Sequence, residues 1–182
     1  QEVAKTIDYI LITHLHGDHV GSLPTLLPYY TYVLDRPIPK IIVPTEAFQQ
    51  ELQCFLDTTY EADRAEYISI DTFSDLGYID TTNQHVPGMT SFAYYFTEAD
   101  HLIYYSGDIA NADTAAHFLQ TRPESRIQVF HETTPRADVT VHTHFVEIAE
   151  KLAPYEVYLY HIAKEQMPPT CTLPLVEDHP EF

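Results

Sequence analysis

The stretch "ITHLHGDHVGSL", Ile12 to Leu23, sets three histidines and an aspartate within the six residues His14 to His19. The whole chain has 11 histidines in 182 residues, so this crowding asks for a chemical reason. It follows "TIDYILIT", Thr6 to Thr13, whose apolar and β-branched run reads as a buried strand. The two-residue step from His14 to His16 places both rings on one side of an extended segment. Gly17 is then expected to let the backbone turn sharply, so that Asp18 and His19 face the same cavity. Nitrogen and oxygen donors without thiolate suit Zn, Mn or Fe(II), and a histidine-rich set favours Zn. One tetrahedral ion cannot comfortably use all four groups. Two ions roughly 3.5 to 4 Å apart can, and such pairs activate a bridging water near neutral pH.

Working outward, strand-like and helix-like stretches alternate, which predicts a layered α/β fold in one domain over 1–182. A helix can begin after Asp18 in "HVGSLPTLLPYYTYVL", limited or kinked by Pro24 and Pro28. "KIIV" (Lys40 to Val43) reads as a strand, and Thr45 as the cap of a helix burying Phe48, Leu52 and Phe55, with Cys54 packed in the core. "EYISI", "DLGYI" and "TTNQHV" read as short strands, and "SFAYYFTEADHLIYYSGD" as an aromatic hairpin turning at Glu98 to Asp100. "NADTAAHFLQ" is a helix with Asn111 as its cap, "IQVFHE" a strand, "VEIAEKLA" a helix and "EVYLYH" a final strand. The proline-rich segment 165–182 reads as an irregular tail. Thr13, Asp108, Glu132 and His161 all fall at the carboxyl ends of predicted strands, the edge where polar groups of an α/β sheet converge.

"THLHGDH" resembles the signature of the metallo-β-lactamase superfamily, and the later motifs of that family follow in order: His85 in "NQHVPGM", Asp108 in "YYSGDI" and His161 in "VYLYHI". The resemblance implies an αββα sandwich with two divalent metal ions, Zn by preference and Mn or Fe as alternatives. It assigns His14, His16 and His85 to one ion, Asp18, His19 and His161 to the other, and Asp108 to both. "FHETTP" and "VHTHFVEIAEKLAP" resemble the corresponding elements of the ribonuclease Z-like phosphodiesterases. Carried over, Glu132 and His142 form a carboxylate–imidazole pair near the leaving-group oxygen, and Asp18 helps to orient the nucleophile. Thr133-Thr134 stands where that branch has Ala-Thr, and "HTH" leaves His144 as a rival to His142. His101, His117 and His179 read as solvated, and His131 as packing beside Glu132.

The tRNA-processing members of that branch insert a long arm between the ligands matching His85 and Asp108. Here 23 positions separate them, enough for two strands and a turn. The formal net charge of −18, from 9 Lys+Arg against 27 Asp+Glu, also disfavours a long nucleic-acid groove. Both point to a small phosphodiester substrate. Relatives that act on one include cyclic-nucleotide phosphodiesterases, among them phage enzymes of the anti-Pycsar type, and a homodimer is in keeping with the branch. A lactonase using the same ligands, an armless tRNA 3′-processing endonuclease and a non-catalytic nucleotide-binding module are the competing readings. Two cysteines, Cys54 and Cys171, fit a reducing cytoplasm, and no apolar run is long enough to span a bilayer. The family normally has two to four strands ahead of "THLHGDH", whereas 13 residues precede His14 here; either those strands are absent altogether or, the expectation favoured, they lie upstream in a longer protein.

Overall fold

A computed structural model of the chain describes residues 7–58 and 65–180. It divides into two compact units, Gln1–Ser74 and Asp75–Phe182. Thr6, the first residue of the predicted opening strand, lies outside the described residues.

The first unit is built on three short parallel strands, β1 (Tyr9–Leu11), β2 (Lys40–Val43) and β3 (Tyr67–Ser69), in the order β1-β2-β3. Parallel neighbours need helical crossovers. The predicted single helix after Asp18 is two: one turn of α1 (Gly17–Val20), then α2 (Leu23–Tyr32). Pro24 sits in the first turn of α2, where its missing N–H costs nothing, and Pro28 lies inside the helix without ending it. Helix α3 (Glu46–Asp57) is capped as expected, the Thr45 hydroxyl accepting from the Phe48 N–H at 3.1 Å. Its buried face is Phe48, Leu52 and Leu56, one helical step from the expected set, leaving Phe55 only partly covered. Cys54 is exposed, not packed, because it falls on the face opposite Leu52.

The second unit holds a five-stranded sheet in the order β4-β5-β6-β7-β8. Strands β4 (Leu76–Asp80), β5 (Phe92–Glu98) and β6 (His101–Tyr105) form an antiparallel meander, with Ala99 in the left-handed region at the β5–β6 turn. Strands β6, β7 (Arg126–Glu132) and β8 (Glu156–Tyr160) are parallel, joined through α4 (Asp113–Leu119) and α5 (Phe145–Lys151). The N-cap of α4 is Ala112, without a side-chain bond, and not the expected Asn111, which lies one residue earlier with its Oδ1 accepting from the Asp113 N–H at 3.0 Å. Leu102, Tyr104, Leu119, Val129, Ile148 and Leu159 form the centre of its apolar core.

One further expectation needs correction. "TTNQHV" is not a strand: residues 82–88 are turns, held by Asp80 Oδ1 on the Thr82 N–H and Asn83 Oδ1 on the Gly88 N–H. Short polar side chains bonding the nearby backbone outcompete ladder pairing there. The 165–180 segment is irregular but anchored, since Leu175 is buried and the Leu159 N–H donates to the Pro174 carbonyl. Among the described residues no helix is long and apolar enough to cross a membrane.

Candidate metal centre

In the first unit the histidine cluster is assembled locally. Just past β1, Thr13 Oγ1 lies 3.0 Å from His14 Nδ1 and 3.4 Å from His19 Nδ1, so one hydroxyl orients two rings. The other nitrogen of His14 is 3.1 Å from His16 Nδ1, and the His14 and His19 ring centroids are 4.0 Å apart. Asp18 is the outlier: its side chain is 63% exposed, with its carboxylate 3.7 Å from His19 Nε2. Gly17 does not make the sharp turn expected of it. It opens α1 in ordinary helical geometry, and a Cβ there would touch nothing within 4 Å. The glycine the fold requires is Gly21, where a Cβ would run into the Gly17 carbonyl.

In the second unit the groups come from five separate places. His85 stands on the turn-rich loop after β4, which is tied to the loop after β6 by the Ala110 N–H on the Gln84 carbonyl at 2.7 Å. Its Nδ1–H donates to the Val141 carbonyl at 2.7 Å, which fixes the tautomer and aims Nε2 at Asp108, 3.7 Å away. Asp108 follows β6, Glu132 ends β7 and His161 follows β8, so three parallel strands deliver them to one edge. His161 holds φ +66, a conformation uncommon for a residue with a side chain and the kind retained at functional sites. Its Nδ1 is 3.7 Å from Asp108 Oδ1, and His142 Nδ1 is 3.9 Å from Asp108 Oδ2.

Glu132 is fully buried and fully engaged. Oε1 accepts from the N–H groups of Ile109 at 3.3 Å and Thr143 at 2.8 Å, and Oε2 accepts from His142 Nδ1 at 3.1 Å. Two backbone amides thus hold the carboxylate in the orientation that receives the imidazole. His144, the rival, initiates α5 without a side-chain cap and lies against Phe145, ring centroids 4.6 Å apart. His131 is buried, its Nδ1–H donating to the Glu132 carbonyl at 2.7 Å; burial pushes its imidazole below the ordinary value, against the pull of Glu132 and Glu147. A cavity of about 490 Å³ opens beside His142 and His161, walled by Thr133, Thr134, Arg136 and Ile162.

The donor chemistry of the second unit fits a divalent cation. Asp108, His142 and His161 each offer a donor atom within 4.8 Å of the others, with a carboxylate at their centre. The 3.7 Å separations of His85 Nε2 and His161 Nδ1 from the Asp108 oxygens are too long for hydrogen bonds, yet close to the spacing of roughly 3.3 Å between ligands held tetrahedrally at ~2.0 Å. Nitrogen and oxygen donors without thiolate are in keeping with Zn, Mn or Fe(II).

Solved structures similar to this chain define its class. YhfI from Bacillus subtilis, a metallo-β-lactamase fold protein, is 17% identical over 89% of this chain and 68% of its own, with a TM-score of 0.64. The short form of human tRNase Z (ELAC1) is 20% identical over 90% of this chain and 76% of its own, TM-score 0.57. A diphosphatase of the PhnP family is 18% identical over 89% and 62%, TM-score 0.56. The fold is therefore that of the metallo-β-lactamases. Within that class, the chain belongs to the anti-Pycsar protein Apyc1 family, whose model matches residues 1–171. No curated protein sequence matches the chain. Family, fold and the histidine–aspartate clusters together make it a metal-dependent hydrolase.

Sequence reasoning did not single out Ser106 and Tyr160. The Ser106 hydroxyl accepts from the Glu132 N–H at 3.0 Å and lies 3.1 Å from the Tyr160 hydroxyl. Ser106 stands in the "SGD" motif and Tyr160 directly before His161, so proximity to motif residues was the available signal.

Proposed function

We propose that the protein is a dinuclear metal phosphodiesterase acting on a small phosphodiester, with a cyclic nucleotide as the preferred class. In this reading His14, His16 and His85 hold one ion, Asp18, His19 and His161 the other, and Asp108 both. Bound divalent ions would supply electrophilic stabilisation of the charge that grows on the phosphoryl oxygens and a water acidic enough to react at neutral pH. The protein's own groups do the rest. Asp18 orients the attacking water. His142, held by Glu132, gives its Nε2 proton to the departing alkoxide, which needs one to leave.

The observation that carries this reading is the Glu132–His142 contact of 3.1 Å, with His142 also 3.9 Å from Asp108 and lining the cavity. A proton donor placed there serves a poor leaving group such as a sugar alkoxide. The cavity, about 490 Å³, is within the range of roughly 300 to 1,000 Å³ that suits a small ligand. The interval from His85 to Asp108 is occupied by a turn-rich loop and the β5–β6 hairpin, without an arm, and the net charge is −18. Both favour a mononucleotide-sized substrate over tRNA.

Lactone opening is the second reading, since it uses the same donors and has no need of an acid at His142. Replacing His142 with Ala separates the two. Turnover of bis(p-nitrophenyl) phosphate is a poor discriminator because its leaving group is already acidic, so the substrates are a cyclic mononucleotide and an acyl lactone. Cyclic-nucleotide hydrolysis should fall by about 100-fold or more while any lactone opening is unchanged. Lactone as the sole substrate, or undiminished nucleotide turnover by H142A, contradicts the proposal.

A further inference from the structure

The proposed donors of the second unit sit on loops and strand ends, and something must fix those ends against one another. The hydroxyl of Ser106, a fully buried residue, is bound on three sides. It donates to the Gly107 carbonyl at 2.6 Å, accepts from the Glu132 N–H at 3.0 Å, and meets the Tyr160 hydroxyl at 3.1 Å. Tyr160 in turn donates to the same Gly107 carbonyl at 3.1 Å. Its ring is stacked on Tyr105, centroids 4.6 Å apart and planes 15° from parallel. Gly107 takes φ +60, a left-handed conformation that reverses the chain immediately before Asp108.

Each of these groups adjoins a residue of the site: Gly107 precedes Asp108, the Glu132 amide belongs to the residue that holds His142, and Tyr160 precedes His161. We infer that Ser106 and Tyr160 are positioning residues, a hydroxyl pair that rivets the ends of β6, β7 and β8 and so sets the placement of Asp108, Glu132 and His161 for metal. Two hydroxyls on one carbonyl specify its direction more tightly than either alone, and the Tyr105 stack restricts the ring that carries one of them. The left-handed residues Gly107 and His161 lie on either side of this rivet, and of the two only His161 carries strain in that conformation. This inference rests on the metal-hydrolase reading of the site.

Tyr160→Phe tests it, because the ring and its stack remain and only the hydroxyl goes. Groups that orient metal ligands from behind typically cost 10- to 100-fold in metal affinity when lost. Y160F should bind Zn or Mn about 10-fold more weakly than the natural protein, in competition with a chromophoric chelator. Its metal-free unfolding midpoint should move by no more than about 4 °C. Ser106→Ala, which removes the bonds to the Gly107 carbonyl and the Glu132 amide together with the contact to Tyr160, should weaken metal more than Y160F does. Tyr104→Phe is the comparison: its hydroxyl is buried with no hydrogen-bond partner, and its removal should leave metal affinity unchanged. Natural metal affinity in Y160F, or an equal loss in Y104F, overturns the rivet while leaving the metal site standing. A natural protein that binds no divalent metal overturns the reading of the site and the rivet with it.

Discussion

The two histidine clusters are built by different means. In the first unit, His14, His16 and His19 lie within six residues, oriented chiefly by the Thr13 hydroxyl and one turn of α1. In the second, His85, Asp108, Glu132, His142 and His161 are spread over 77 residues and are brought together by parallel strand ends, two backbone amides and a hydroxyl pair. The local cluster needs little of the fold to form. The distributed one is only as good as the registration of β6, β7 and β8. Its carboxylates, Asp108 and Glu132, are buried, and Glu132 is anchored by two backbone amides, whereas Asp18 is open to solvent.

The sharpest contrast is between the two aspartates. Asp108→Ala should lower phosphodiester turnover by about 1,000-fold or more, equivalent to ~4 kcal/mol of barrier. It should also reduce the metal content of the purified protein. Asp18→Ala removes an exposed ligand of one ion only and should lower turnover less than Asp108→Ala does, with the ion held by His14, His16 and His85 retained. Equal losses in the two variants, by steady-state kinetics and metal analysis, would erase the distinction between a buried shared carboxylate and a peripheral one.

A smaller effect separates the units in stability. His131 is buried on β7 with its proton affinity lowered by desolvation. In the unfolded chain it takes up a proton near its ordinary pKa of about 6.5, while in the folded protein it resists doing so. Its contribution is therefore complete above that pH and is lost as pH falls toward the depressed folded value. Hydrogen exchange should show β7 and β8 amides losing protection as pH drops below about 6.5, after correction for intrinsic exchange, before those of β2. His131→Phe should flatten that dependence. Simultaneous loss in β2 and β7, unaltered in the variant, would show that His131 is not the cause.

How far the sequence was legible follows the same division. The cluster at His14–His19 could be read directly, because its spacing is local and its chemistry is unambiguous. His85, Asp108 and His161 became visible through family motifs, since no periodicity links residues brought together by sheet topology. The two amides on Glu132 and the Ser106–Tyr160 contact were not legible, because they depend on register between β6, β7 and β8. "TTNQHV" was misread as a strand because the side chains of Asp80 and Asn83 bond the nearby backbone there, which no pairing pattern in the sequence reveals. Gly17 drew attention as the turn-maker inside the motif, yet the close approach is at Gly21. Cys54 illustrates a finer limit, since choosing Phe55 rather than Leu56 for the buried stripe rotates the whole helix face.

Metal held by these donors is the central requirement of the proposed chemistry. The most direct measurement is the metal content of the purified protein, taken alongside turnover of a cyclic mononucleotide before and after chelation. Two divalent ions per chain, with hydrolysis abolished by the chelator and restored by Zn or Mn, is the predicted result. A protein that carries no metal, or hydrolyses the nucleotide equally well without it, would contradict the account.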